Sequence, residues 1–325
     1  MPHRIVFPLL FCTATACSGR ASKVDQDDDE GSTDTDDAPV QVRIVGDVPG
    51  AGFGAAVALS DAGAWASAPH GSPARVFALD PETGATLLLE ADGRAGLVLA
   101  TQMSGDLLVG APLLGDGAVL DGDGTALLEG GGVGRGVAAG PIALTAGGWT
   151  DGGTDVALDA RATSITLAAG QVGLGFAHGS DSARLGGIQI TREHASEGFA
   201  IAAGDLDGDG SPEWAIGAPQ AGAVRVLGTN GEDLGTLRGA GRFGAALAMA
   251  DIDGDGRAEL LIGAPRANGD AGEAILYGSD LVERARIPGE RGDRLGAAVA
   301  LGGGGLLVGA PGGPDSPGAV VWERD

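Results

Sequence analysis

Two short segments place carboxylates at a spacing that could hold a cation. Asp205, Asp207 and Asp209 stand at alternate positions, followed by Glu213; Asp251, Asp253 and Asp255 repeat the pattern, followed by Glu259. Three carboxylates this close repel one another unless a positive charge sits among them. Oxygen ligands at positions 1, 3 and 5, a backbone carbonyl at 7 (Ser211 or Arg257) and a closing carboxylate at 9 suit Ca²⁺, which takes several hard oxygens in loose geometry. Gly256, at position 6, allows the sharp turn such a loop needs. The chemistry expected is therefore two Ca²⁺ sites. An EF-hand is excluded, because its closing Glu at position 12 would fall on Ile216 or Ile262, inside apolar runs. The competing interpretation is a pair of acidic surface turns without metal.

The flanking residues must position these loops. Phe243 to Ala250 is a short apolar run rich in small residues, and Leu260 to Ile262 is a second, closed by Gly263-Ala264-Pro265. Two runs of strand length around a glycine-bearing loop form a β-hairpin. The same unit occurs earlier, from Phe199-Ala200 through Ile201 to the first acidic loop, then Trp214 and Ile216-Gly217-Ala218-Pro219. Phe-Gly, then DxDGDG, then Gly-Ala-Pro resembles the FG-GAP repeat of the integrin α-subunit β-propeller and related bacterial proteins. That resemblance spans about residue 40 to the end. It implies a seven-bladed propeller with Ca²⁺ in the hairpin loops of some blades, and it says little about function.

Self-alignment gives GAP-like positions at Ala68-Pro69, Ala111-Pro112, Ala146-Gly147, Ala177-His178, Ala218-Pro219, Ala264-Pro265 and Ala310-Pro311, separated by 31 to 46 residues. This is the period of four-stranded propeller blades. The fold expected is all-β: a seven-bladed β-propeller of four-stranded antiparallel blades, with six blades and a long insertion as the rival count. The last blade ends early, after a third strand at Gly318 to Trp322. Val40 to Val45 precedes the first Phe53-Gly54 and aligns with Leu234 to Leu237, a fourth strand. The N-terminal strand is therefore expected to complete the last blade and leave no open edge. Leu120-Asp121-Gly122-Asp123-Gly124 looks like a third acidic loop but falls at a second-hairpin turn, so it is taken as a turn.

The domain plan has three parts. Residues 1–17 form a lipoprotein-type signal peptide: a polar start, an apolar stretch from Ile5 to Ala16, and Ala14-Thr15-Ala16-Cys17, which resembles a lipobox with Cys17 as the lipidated first mature residue. Ordinary cleavage without lipid is the alternative. Residues 18–38 hold eight acidic residues and almost no large apolar side chain, so they are expected to be a disordered acidic tether. Residues 39–325 are the propeller. The only cysteines, Cys12 and Cys17, leave the folded part without thiols.

Catalytic constellations are not found. The histidines (His3, His70, His178, His194) show no zinc spacing, and His178-Gly179-Ser180-Asp181 lacks the elbow a Ser nucleophile needs. Arg291-Gly292-Asp293 is an RGD tripeptide in a loop expected to be exposed. From residue 38 on there are 36 acidic and 17 basic residues, a balance that disfavours nucleic acid as a partner. The function expected is a calcium-stabilised, membrane-anchored, monomeric extracytoplasmic propeller that binds protein or glycan without catalysis. Its expected location is the bacterial outer membrane, with secreted or periplasmic as the alternative. A propeller hydrolase or lyase with its site in the blade loops is the second reading, and a structural envelope component the third.

Overall fold

Strands dominate because short β-branched and apolar runs alternate with glycine-bearing turns. The computed structural model describes residues 20–23 and 40–324, apart from short stretches at 92–97, 103, 114–115, 131–133, 139–141, 146, 152, 159–160, 180 and 303–304. Seven antiparallel sheets form a ring, six of them running outward in chain order and the last completed by N-terminal strands. Blade 5, for example, consists of Ala200–Gly204, Glu213–Ala218, Ala223–Leu227 and Asp233–Arg238, and blade 6 of Ala246–Ala250, Glu259–Ala264, Glu273–Tyr277 and Glu283–Pro288. The first strand of every blade lines an axial channel, whose wall includes Ala58, Ala100, Ala138, Ala202, Ala248 and Ala300. Small side chains there let seven strands approach one axis. Among the described residues the one α-helix is the four-residue Ala267–Asp270, and no helix is long and apolar enough to cross a membrane.

The core lies between blades. Phe243, Leu260, Ile262 and Ile275 of blade 6 share one cluster with Ala215, Val224 and Val226 of blade 5. Glycine makes this close stacking possible. Gly244 adopts φ +87°, and a Cβ on Gly263 would lie 2.1 Å from the carbonyl oxygen of Gly296 in the next blade. The GAP glycine is therefore fixed by inter-blade contact as well as by turn geometry.

Blades 3 and 4, degenerate in sequence, are complete four-stranded sheets (from Val137–Ala138 to Asp155–Ala157, and from Ser164–Ala168 to Ile188–Thr191). The count is seven. In blade 4 the GAP position sits one residue earlier than the sequence alignment put it. Gly175 backs onto the Gly198 carbonyl as Gly217 backs onto that of Gly244, so Phe176-Ala177 replaces Ala-Pro.

Blade 7 (Ala298–Gly302, Gly305–Ala310, Ala319–Arg324) has Val40–Val45 beside its third strand, in register from Val40↔Arg324 to Val45↔Ala319. A fifth strand, Arg20–Lys23, pairs with Val45 to Val42. This departs from the tether drawn over 18–38: the backbone groups on the free edge of Val40–Val45 offer a hydrogen-bonding template, and these four residues take it. The acidic residues of that segment and Cys17 lie outside the described residues.

Candidate metal centre

Each acidic loop joins the first and second strands of its blade, so both open on the face opposite the loops that connect blades. In blade 5, Asp205 sits directly after the first strand and Glu213 opens the second, with Gly204 and Glu213 facing each other across the ladder. The loop is wound around its own first carboxylate. Asp205 accepts backbone N–H groups from Gly208 (2.7 Å) and Asp209 (3.2 Å) on Oδ1 and from Gly210 (2.7 Å) on Oδ2. Asp207 Oδ1 accepts from Asp209 N–H and Asp209 Oδ1 from Ser211 N–H. Blade 6 repeats the arrangement: Asp251 accepts from Gly254 and Gly256, Asp253 from Asp255, and Asp255 from Arg257. Glycines at φ +81° and +85° (Gly208, Gly210) and +78° and +86° (Gly254, Gly256) make the turns.

Carboxylate oxygens of Asp205, Asp207 and Asp209 lie within 4.8 Å of one another, as do those of Asp251, Asp253 and Glu259. Glu213 and Asp255 stand outside these closest groupings. Glu213 is buried, with Oε2 accepting the N–H of Leu206 (2.8 Å) and Oε1 the hydroxyl of Thr229 (3.2 Å). Ser211 and Arg257, expected to supply carbonyls, enter the loops as N–H donors to Asp209 and Asp255.

The electrostatics match an anionic cup. Desolvation pushes Glu213 above its ordinary value, against the Leu206 N–H and Thr229 hydroxyl, and Asp207 and Asp205 add to the push. Burial likewise raises Glu259, with Asp253, Asp255 and Asp251 acting in the same direction. Desolvation also acts on Asp205, but the N–H groups of Gly210, Gly208, Asp209 and Asp207 outweigh it and hold that carboxyl low. A hard cation would reverse the repulsion on both glutamates. The donor set, all oxygen and mostly carboxylate, fits Ca²⁺. The two loops also touch: Ala258 N–H donates to the Asp205 carbonyl at 2.6 Å.

Other sequence expectations fall differently. Asp121 lies in the turn between the third and fourth strands of blade 2, and its carboxylate accepts the N–H groups of Asp123 and Thr125. In the RGD tripeptide Arg291 and Gly292 are exposed as expected, but the aspartate is not. Asp293 is buried, accepts Arg43 Nη2 at 2.8 Å and caps Glu290 N–H, so its carboxylate is used to tie down the Val40–Val45 strand. In blade 5, Phe199 is 46 % exposed and does not fill the Phe-Gly position. Gly198 N–H donates to the Gly217 carbonyl (3.0 Å) as Gly244 N–H does to Gly263 (3.1 Å). The buried slot before that glycine is taken by Glu197.

This geometry defines the class: a seven-bladed β-propeller with paired acidic hairpin loops on one face. Residues 198–235 and 243–277 match the FG-GAP repeat family, so blades 5 and 6 carry FG-GAP repeats. Similar solved structures include one described as a streptogramin B lyase, 13 % identical with a TM-score of 0.60, the match covering 88 % of this chain and 98 % of that one. The virginiamycin B lyase from Staphylococcus aureus is 12 % identical with a TM-score of 0.65, over 89 % of this chain and 100 % of the other. XC5397 from Xanthomonas campestris, described as a gluconolactonase, is 12 % identical with a TM-score of 0.53, over 94 % and 98 %. At such identities the likeness is one of fold. No curated protein sequence matches the chain.

Proposed function

We propose that this protein is a calcium-stabilised propeller, anchored to the bacterial outer membrane through a lipid on Cys17, that binds a protein or glycan without catalysis. One observation carries the calcium part: in two adjacent blades, loops of matched sequence each converge three carboxylates within 4.8 Å, with buried Glu259 one of the three in blade 6 and buried Glu213 closing the loop in blade 5. In this reading Ca²⁺ ties the first two strands of blades 5 and 6 together. The inter-blade loops of the other face are then left for a ligand. Asp205, Asp207, Asp209 and Glu213 would hold one ion, and Asp251, Asp253, Asp255 and Glu259 the other, with Ser211 and Arg257 lending carbonyls.

The second reading is an enzyme with its site in the blade loops, and its support is the lyase and lactonase names of the fold neighbours. An array of soluble glycans and surface proteins, probed with and without Ca²⁺ and with turnover followed in the same wells, separates the two. Saturable retention without product supports the binding module. Product formation that survives purification overturns it.

A further inference from the structure

Blade 5 breaks the repeat at two positions that face each other. Where blade 6 places buried Phe243 before its glycine, blade 5 has Glu197, also fully buried. Where blades 6 and 7 pair Ile262 with Ile275 and Val308 with Val321, blade 5 pairs Ile216 with Arg225. An apolar pair has become an ion pair, Arg225 Nη1 to Glu197 Oε1 at 3.3 Å. A buried carboxylate needs such compensation, and Glu197 Oε2 gains more from the N–H groups of Glu193 (2.7 Å) and His194 (2.8 Å).

This pair is wired to a histidine at the surface. Arg238 Nη2, at the end of the outer strand of blade 5, lies 3.3 Å from His194 Nε2. A guanidinium can only donate, so Nε2 accepts and the ring proton sits on Nδ1. Nδ1 is buried with no hydrogen-bond partner, and Glu197 Oε2 stands 3.6 Å away. The surrounding charges are Glu193 and Glu197 from the same loop, Arg225 from the third strand, and Asp233 and Arg238 from the outer strand. Arg192 is turned away, bound to the carbonyls of Gly179, Phe176, Asp181 and Glu197.

We propose that His194 is a pH-operated latch joining the loop that enters blade 5 to that blade's outer strand. With the ring neutral, Arg238 is held on Nε2. When Nε2 takes a proton from solvent, donor faces donor and cation faces cation, so the guanidinium leaves. The imidazolium is then drawn to Glu197, whose carboxylate already stands beside Nδ1. Histidine is the side chain that ordinarily changes charge between about pH 5 and 8, which makes it the residue type able to work such a latch. Opening releases an arginine on the face opposite the acidic loops.

The test is Arg238→Ala in the full chain, in wild-type and His194→Gln backgrounds, melted at pH 8 and pH 5.5. In the wild-type background the substitution lowers the melting temperature at pH 8 and leaves it level or higher at pH 5.5. In the His194→Gln background its effect is the same at both pH values. An effect in wild type that does not change with pH, or one that changes equally with Gln at 194, overturns the latch. Ring ¹⁵N shifts of His194 in the unsubstituted protein give a check that no variant can spoil by misfolding. They should report the Nδ1–H tautomer at pH 8 and a doubly protonated ring at pH 5.5; an Nε2–H tautomer, or a ring still neutral at pH 5.5, refutes the proposal.

Discussion

Removing Val40–Val45 should weaken the ring far more than removing everything before it. Val42 is 6 % exposed and Ile44 fully buried, and both join a cluster with Leu307, Val320 and Trp322 of blade 7 and Phe53, Phe77 and Leu79 of blade 1. Burying an aliphatic side chain of this size contributes about 1.5–3 kcal/mol, so the two together contribute about 3–6 kcal/mol. Against a total stability of about 5–15 kcal/mol for a folded domain, that is a large share. The deletion also strips Arg43 from Asp293, leaving a buried carboxylate without its cation. Of the described residues, deleting 18–38 removes the four-residue edge strand Arg20–Lys23, and it returns Val40–Val45 to the outermost position that a fourth strand occupies in the other blades. Urea denaturation of the two truncations, 18–38 and 18–45, compares them directly. The shorter deletion should leave the midpoint nearly unchanged, and the longer one should lower it steeply or abolish the cooperative transition. Equal midpoints would mean that the N-terminal strand does not hold the ring closed.

Three further outcomes are expected. Gly263→Ala should destabilise the protein by more than the roughly 1 kcal/mol span of ordinary strand preferences, because its Cβ would meet the Gly296 carbonyl at 2.1 Å; an unchanged melting temperature would contradict the inter-blade contact. Asp80 accepts the Thr83 N–H and hydroxyl and the Glu82 N–H, which hold its carboxyl below 3.8. Its turn should therefore add stability that is fully present above pH 3.8 and lost as pH falls through the lowered value; a ¹³C carboxyl titration midpoint at or above 3.8 would contradict this. Cys17→Ala should release the protein from the membrane fraction or leave it held by an uncleaved signal, whereas wild-type protein with no lipid mass on its N-terminal peptide would remove the anchor.

The repeated parts of this fold were legible in the sequence because their physics is local. Alternate aspartates, glycines that must take positive φ and apolar runs of strand length mark blades 5 and 6 without any long-range information. Blades 3 and 4 were harder. The first strand of blade 3 is only Val137–Ala138, and in blade 4 Gly175-Phe176-Ala177 carries the GAP role with only its glycine retained. Blade 5 departs from the motif in a way the motif hides. Phe199 offers a phenylalanine one residue too late, whereas the requirement of the position is the glycine, Gly198 at φ +90°. Anchoring the alignment on glycine would have put Glu197 in the slot and drawn attention to Arg225. The burial of Asp293 was illegible for a different reason: its partner Arg43 lies 250 residues away, and no local pattern announces that a loop carboxylate will be buried by a distant part of the chain.

Calcium stoichiometry tests the central claim most directly. Calorimetric titration of the chelator-stripped full chain, paired with elemental analysis, should show two Ca²⁺ per chain, falling to one in a variant carrying Asp251→Asn and Asp255→Asn. For dissociation constants of about 0.1–1 mM and about 1 mM free Ca²⁺, each ion would stabilise the fold by about 0.4–1.4 kcal/mol, so chelation should lower the melting temperature without unfolding the ring. A folded protein that takes up no Ca²⁺, and melts at the same temperature with and without chelator, would contradict the account.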